Sequence, residues 1–445
     1  MEFPRFPNHD LVDQIYFQAQ RKADSGAVEQ VNELLAELGD AYASVAERLA
    51  ALSGSADVEA NEPDDLAGIR ALRPEGPRAL GGALDDDTYS EKVEGALIAR
   101  MAGCTLGTIV EGWSVEDTEK WAAEIGVAYP PTDYWPIVKC PTNPRYFLQR
   151  RQEYARDTMD GVPLDDDTVY TIMGLLVLER HGLEFEPAYV ADMWHELLPW
   201  VWKDAQWPLD RYLSGVPAER AADDSPYAEQ IGASTRCDTF GYVAPGLPEV
   251  AAGLAYKEAS MSHRRTGVYA SMFFAAAMAA AFVVDDPVEA LEIGLTEIPA
   301  DCRFASDMRW ALDAGTGIHN YREGRQAVDD RFGTDTWPHG PQVYYHWHAT
   351  SNACLTVFGL MVGGTDVTKV ISETMAMGLD NDCTPATAGS IVGAIVGKQA
   401  IPPHWYRNFN DKVHSYIKGQ RYFSISDLVE RYLAQSHKVS RRYRA

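Results

Sequence analysis

Leu164-Asp165-Asp166-Asp167-Thr168, followed at once by the apolar run Val169 to Leu178, is the stretch on which the reading of this chain turns. Acidic and hydroxyl side chains ahead of such a run mark a helix N-terminus, where their oxygens satisfy orphan N–H groups and their charge suits the macrodipole. The run is apolar nearly all round and ends in His181-Gly182, as a buried central helix should. More than two hundred residues later Asp380-Asn381-Asp382-Cys383 stands before a second apolar run. There Thr384 is the expected N-cap with Pro385 at N1. Gly389, Gly393 and Gly397 recur every four residues, which leaves one face bare for the close approach of another helix.

Each cluster taken alone reads as a helix cap. Leu84-Asp85-Asp86-Asp87-Thr88 repeats the first string ahead of another helical pattern, Tyr89–Met101, so at least one copy serves only as a cap. Taken together, the clusters at 165–168 and 380–383 read as two halves of one metal site. Carboxylates gathered in one small volume repel at about 4 kcal/mol per close pair near a surface, and protons or cations must compensate. Oxygen ligands with no His or Cys pair at zinc spacing suit one or two Mg²⁺ ions, with Mn²⁺ or Ca²⁺ as the other hard candidates.

The 445 residues, 46% of them hydrophobic, suffice for one large domain or two to three ordinary ones. A formal charge of −26 disfavours nucleic acid and anionic membrane surfaces. The longest mostly apolar run, residues 268–284, falls short of the roughly 20 residues of a membrane span and reads as a buried helix. Six scattered cysteines without a Cys-x-x-Cys pair argue against a disulfide framework and for a reducing compartment. Charge and two prolines in Met1 to Asp10 do not fit a signal peptide, so the cytoplasm is the expected location. The oligomeric state stays open.

Helical periodicity dominates the chain and strand-like alternation is scarce, so the expected fold is all-α. Residues 1–82 read as an extension: an antiparallel helix pair over Leu11 to Leu52, then a linker with little regular structure over Ser53 to Gly82. The main domain is expected over 83–435, with long loops at Tyr129–Asn143, Trp207–Gly246 and Gly324–Asn352. A basic tail, 436–445, follows and is expected to be solvated.

The motifs resemble those of the ADP-ribosylglycohydrolase family over roughly Glu91 to Trp405. Gly95-Ala96-Leu97, Gly103-Cys104-Thr105-Leu106-Gly107 and Val110-Glu111-Gly112 are similar to the family's opening helix and loop; Asp166-Asp167-Thr168 and Gly378-Leu379-Asp380-Asn381-Asp382 are similar to its two ligand motifs. The resemblance implies an orthogonal helical bundle holding divalent cations on Asp165, Asp166, Asp167, Asp380 and Asp382. Glu111, Asp166 and Asp167 are then the catalytic candidates. The implied activity is metal-dependent hydrolysis of an N- or O-glycosidic bond at the anomeric carbon of ribose or a related sugar, in an ADP-ribosyl conjugate or a small nucleoside-like glycoside. The chain departs from the family pattern at three places: Asp165 and Cys383 each stand where a threonine is expected, and Cys104 where an aspartate is. A catalytically silent ligand-binding protein and a metal-dependent phosphohydrolase are the competing classes.

Five further polar residues are candidates for substrate binding. Arg236 and Asp238, in an expected loop, suit phosphate or sugar hydroxyls, or are solvated loop charges. His263 is a cap or a substrate contact, and Ser262-His263 with Gly241 to Pro248 resembles the family's ribose-pocket segment. His348 and Asn352 bind substrate or serve structure, since two His separated by one residue, His346 and His348, lack a third zinc ligand. Tyr134, Trp135, Trp337, Tyr344, Tyr345 and Trp347 stack on a base or sugar, or pack their loops down.

Overall fold

The computed structural model describes residues 18–19, 22, 27–50, 56–138, 152–333 and 346–444. Among the core helices of the described residues, these position the site: α1 (Asp86–Thr108), α2 (Asp166–His181), α3 (Thr266–Ala281), α4 (Ala349–Gly363), α5 (Val367–Ala376), α6 (Cys383–Val396) and α7 (Ile425–Tyr443). Among the described residues the named strands are Val413–His414 and Tyr422–Phe423, a two-stranded antiparallel pair. The fold is all-α. All 16 residues of α3 are buried, which accounts for its uninterrupted apolar sequence. No helix among the described residues is long and apolar enough to cross a membrane.

The most extensive packing joins α1 to α6, and glycines set its register. A Cβ on Gly95 would stand 2.6 Å from the Gly393 carbonyl oxygen, and one on Gly389 2.4 Å from that of Ala99. On Gly103 it would meet the Pro385 oxygen at 2.2 Å, and on Gly107 the Asn381 oxygen at 1.8 Å. Each four-residue step along α1 matches a four-residue step back along α6, so the helices run antiparallel with their backbones in contact. The bare face read from Gly389 and Gly393 therefore has a partner that supplies its own glycines. That register delivers Asn381 and Asp382 to the C-terminal end of α1.

Helix ends separate the two roles of the acidic clusters. Asp85 caps α1, accepting from Thr88 N at 2.9 Å and Thr88 Oγ1 at 2.8 Å, so the repeated string is a cap. Asp165 caps α2 and accepts from Asp167 N at 3.0 Å. At α6 the expected Thr384 cap is displaced: the helix starts at Cys383 with Asp382 in the N-cap position, and the Asp382 side chain makes no capping bond. Thr384 instead donates to the Asp380 carbonyl oxygen at 3.0 Å.

Several expected loops are more ordered than periodicity implies. The segment read as a linker contains helices Ala56–Asn61 and Leu66–Leu72. Buried Glu62 anchors it to Arg303, and Arg73 and Arg78 bond Glu297 at 2.6 and 2.9 Å. Ion pairs hold this segment, and they leave no hydrophobic period to read. The expected loop at 207–246 begins inside helix Lys203–Leu213 and contains helices Gly232–Thr235 and Asp238–Tyr242, and the one at 324–352 begins inside helix Tyr321–Phe332, capped by Asn320. Helix α7 passes through the tail expected to be solvated, burying Ser436 and Val439. Arg444 then bonds the Gly81 and Pro245 carbonyls at 2.7 and 2.8 Å. Of the expected N-terminal pair, Val28–Ala50 forms one helix with Leu34 and Leu38 exposed; Leu11 and Ile15 lie outside the described residues.

Candidate metal centre

The ends of α1, α2 and α6 meet, and the acidic clusters meet with them. Gly378 and Leu379, both at positive φ (76° and 62°), turn the chain out of α5 into Asp380. Left-handed backbone at a leucine costs of order 1–3 kcal/mol, which burial of that side chain helps offset. Asn352, on α4, accepts from Asp380 N at 3.2 Å and donates to the His346 and His348 carbonyls at 2.8 and 3.0 Å. Asn381 faces the other way, donating to the Val110 carbonyl at 3.2 Å and accepting from Gly112 N at 3.3 Å. Asn381 thus grips the peptides on both sides of half-buried Glu111, tying that residue to the second cluster.

Cys104 Sγ and one oxygen each of Asp165, Asp167 and Asp382 lie within 4.8 Å of one another, as do ligand atoms of Asp380, Asp382 and Cys383. Asp382 belongs to both groups. Thr108 Oγ1 donates to Asp165 at 3.0 Å and Cys383 Sγ to Asp167 at 3.3 Å. Asp167 Oδ2 and Asp382 Oδ1 are buried without a hydrogen-bond partner. An orphaned buried carboxylate oxygen is costly, and a cation satisfies it, so these residues fit a divalent ion.

Burial first, then neighbouring negative charge, pushes Asp166, Asp167 and Asp382 well above the ordinary carboxylate range. Burial also raises Asp165, against hydrogen bonds from Cys104, Thr108 and Asp167 N. Glu111 is close enough for its charge to raise both Asp166 and Asp382. On the far side, burial pulls the Arg100 guanidinium down, but Asp238 and Asp167 more than compensate and keep it charged. Arg100 bonds Asp238 at 3.0 Å and the Asp167 carbonyl at 3.1 Å.

A pH dependence follows. Carboxyls whose pKa is raised by folding bind more protons in the folded chain, so their contribution to stability is lost as pH rises above the ordinary 3.8. Chelator-treated protein should therefore lose thermal stability from about pH 4 towards neutrality relative to Asp167→Asn, as melting curves of the two would show. Added divalent cation should close the gap. Parallel pH profiles for the two chelated proteins would contradict the assignment.

A profile of the ADP-ribosylglycohydrolase family matches residues 85–440, the span that carries all these elements. The chain belongs to the ADP-ribosylglycohydrolase family. A solved structure described as an ADP-ribosylglycohydrolase-related protein complex has a TM-score of 0.51 at 19% identity, covering 80% of this chain and 99% of its own, which shows the shared fold. No curated protein matches the chain.

Within this family framework the structure brings Glu111, Asp165, Asp166, Asp167, Asp380 and Asp382 together; of the other candidates, Asn352 reaches them through Asp380 N and Asp238 through Arg100. Arg236 and Asp238 lie at and in short helices, not in a loop, and both are buried. A buried guanidinium needs carboxylates. Arg236 bonds Glu258 at 2.7 Å, Asp204 at 3.4 Å and Ser262 at 2.7 Å, and lies against the rings of both Tyr170 and Trp194. His263 is fully buried against Ser262, and burial holds its pKa well below the usual imidazole range. His348 caps α4 through Thr350 N at 3.2 Å and stands 3.5 Å from Glu229. Tyr134 and Trp135 pack their segment down, bonding the Trp405 and Leu106 carbonyls at 2.6 and 3.0 Å. Trp337, Tyr344 and Tyr345 lie outside the described residues.

Residue-by-residue reading missed Arg100, Thr108 and Asn381. A lone arginine inside the apolar stretch Ala96–Ala102 was a readable sign of a buried charge partner, and Asn381 stood within the second acidic cluster without a role of its own; Thr108 had no such signal. Asn381→Ala should release both peptide contacts beside Glu111 and lower turnover about 10- to 100-fold with a preserved helical spectrum, in steady-state assays beside circular dichroism. An unchanged rate would remove its positioning role.

Proposed function

We propose that this protein is a divalent-metal-dependent glycoside hydrolase that cleaves the bond at the anomeric carbon of ribose or a related sugar. The observation that carries this reading is the convergence of Asp165 and Asp167 with Asp382, and of Asp382 with Asp380, around orphaned, buried oxygens, with Asp166 and Glu111 near enough to act on them by charge. A silent scaffold has no use for that repulsion. Family membership supports hydrolysis, and ADP-ribosyl conjugates are the first substrates to try; the departures at Cys104, Asp165 and Cys383 extend the range to small nucleoside-like glycosides.

When bound, Mg²⁺ or a related cation supplies charge compensation and acidifies water. Asp165, Asp167, Asp380 and Asp382 would hold it, and Asp166, outside both ligand groups and less buried than they are, would face the sugar. Cleavage passes through an oxocarbenium-like state, whose positive charge the carboxylates stabilise. Glu111 either takes the proton of the attacking water or gives one to the leaving group. Water then adds OH to the sugar and H to the leaving group.

The test is a metal-supplemented hydrolysis screen of ADP-ribosyl conjugates, nucleosides and simple glycosides, with released reducing sugar as the readout. Sugar release abolished by chelator and by Asp166→Ala supports the reading. Phosphate release without free sugar would replace it with phosphohydrolysis, and turnover untouched by chelator would remove the metal.

A further inference from the structure

Cys104 and Cys383 lie far apart in sequence, yet each contributes a sulfur to one of the two ligand groups that share Asp382. Ligands around one tetrahedral ion with bonds of about 2.0–2.3 Å stand about 3.3–3.8 Å apart. In each group every ligand atom lies within 4.8 Å of the others, so side-chain rotation can draw them onto one ion. The acidic residues alone do not carry the point. Asp167 Oδ2 and Asp382 Oδ1, on side chains 4% and 5% exposed, have no partner, and the Cys383 thiol donates to the other oxygen of Asp167 at 3.3 Å.

We infer that Cys104 and Cys383 are thiolate ligands, one in each half of the centre, and that they bias it towards thiophilic divalent ions such as Zn²⁺ or Co²⁺ over Mg²⁺. This rests on reading the cluster as a metal site. It differs from the expected all-oxygen ligand set, because folding brings one cysteine to each ligand group although no cysteine pair stands in the sequence. On binding, an S–H bond is exchanged for an S–metal bond, the proton leaves to solvent, and no electron is transferred. Sulfur ligands raise affinity for borderline and soft ions and add nothing for Mg²⁺.

The experiment titrates Co²⁺ into chelator-stripped full-length protein, following binding by calorimetry and thiolate-to-cobalt charge transfer by near-ultraviolet absorption. The expected result is a charge-transfer band that weakens in C104S and in C383S and disappears in the double variant. The double variant should also bind Zn²⁺ at least about tenfold more weakly while Mg²⁺ binding holds. Calorimetric Co²⁺ binding without the band, or a band that survives in the double variant, would overturn thiolate ligation and leave the oxygen site standing. No Co²⁺ binding by calorimetry would overturn the metal reading and this proposal with it. Should C104S fail to fold, the wild-type band and its reduction in C383T decide the same question.

Discussion

Asp382→Asn should cut turnover about a thousandfold or more, because it removes the one carboxylate common to both ligand groups. The same change should raise the melting temperature of the chelated protein. Asp382 is buried with one oxygen unpartnered, and the charges of Glu111, Asp380, Asp167 and Asp165 all bear on it. An amide of equal size relieves that repulsion and offers N–H donors to the remaining carboxylates. Lost activity together with gained apo stability marks a residue kept for chemistry at a cost to folding. Steady-state assays and paired melting curves check it. A variant that is both inactive and less stable without metal would make Asp382 a structural residue.

Gly107→Val should destabilise the protein by about 3 kcal/mol or more, or prevent folding, since even a Cβ there would meet Asn381 backbone at 1.8 Å. Backbone cannot yield as a side chain tip does. The helices α1 and α6 must part, and they are what carry Cys104 and Thr108 up to Asp382. Any Gly107→Ala protein that folds should accordingly lose metal affinity before it loses helix content. Gly39, in the exposed helix Val28–Ala50 with nothing near its missing Cβ, is the control; alanine there should be neutral or stabilising by about 0.5–1 kcal/mol. Equal, small effects at both positions in denaturant unfolding would refute the register.

The same contrast shows what was legible in the chain. Periodicity exposed α2, α3 and α6 because burial on all sides leaves uninterrupted apolar runs, and the glycine spacing of α6 announced a close neighbour. It did not say which neighbour. Only the paired glycines of α1, seen in space, show how the antiparallel register carries the two acidic loops together. The segment from Glu62 to Arg78 was opaque for the opposite reason: single long-range ion pairs hold it, with no repeat. Arg236, Asp238 and His263 were readable as unusual polar residues, but sequence distinguishes poorly between a charge facing a ligand and one facing a buried partner. Cys104 and Cys383 were visible as departures from a family pattern, and their shared location depended on the fold.

Crystals soaked in Mn²⁺ and measured for anomalous scattering provide the decisive observation. The account expects density within about 2.0–2.6 Å of oxygens from Asp165, Asp167 and Asp382, with Asp382 nearest the midpoint if two ions bind. Density only elsewhere on the surface, or none at saturating Mn²⁺, would mean that the converging aspartates hold no metal.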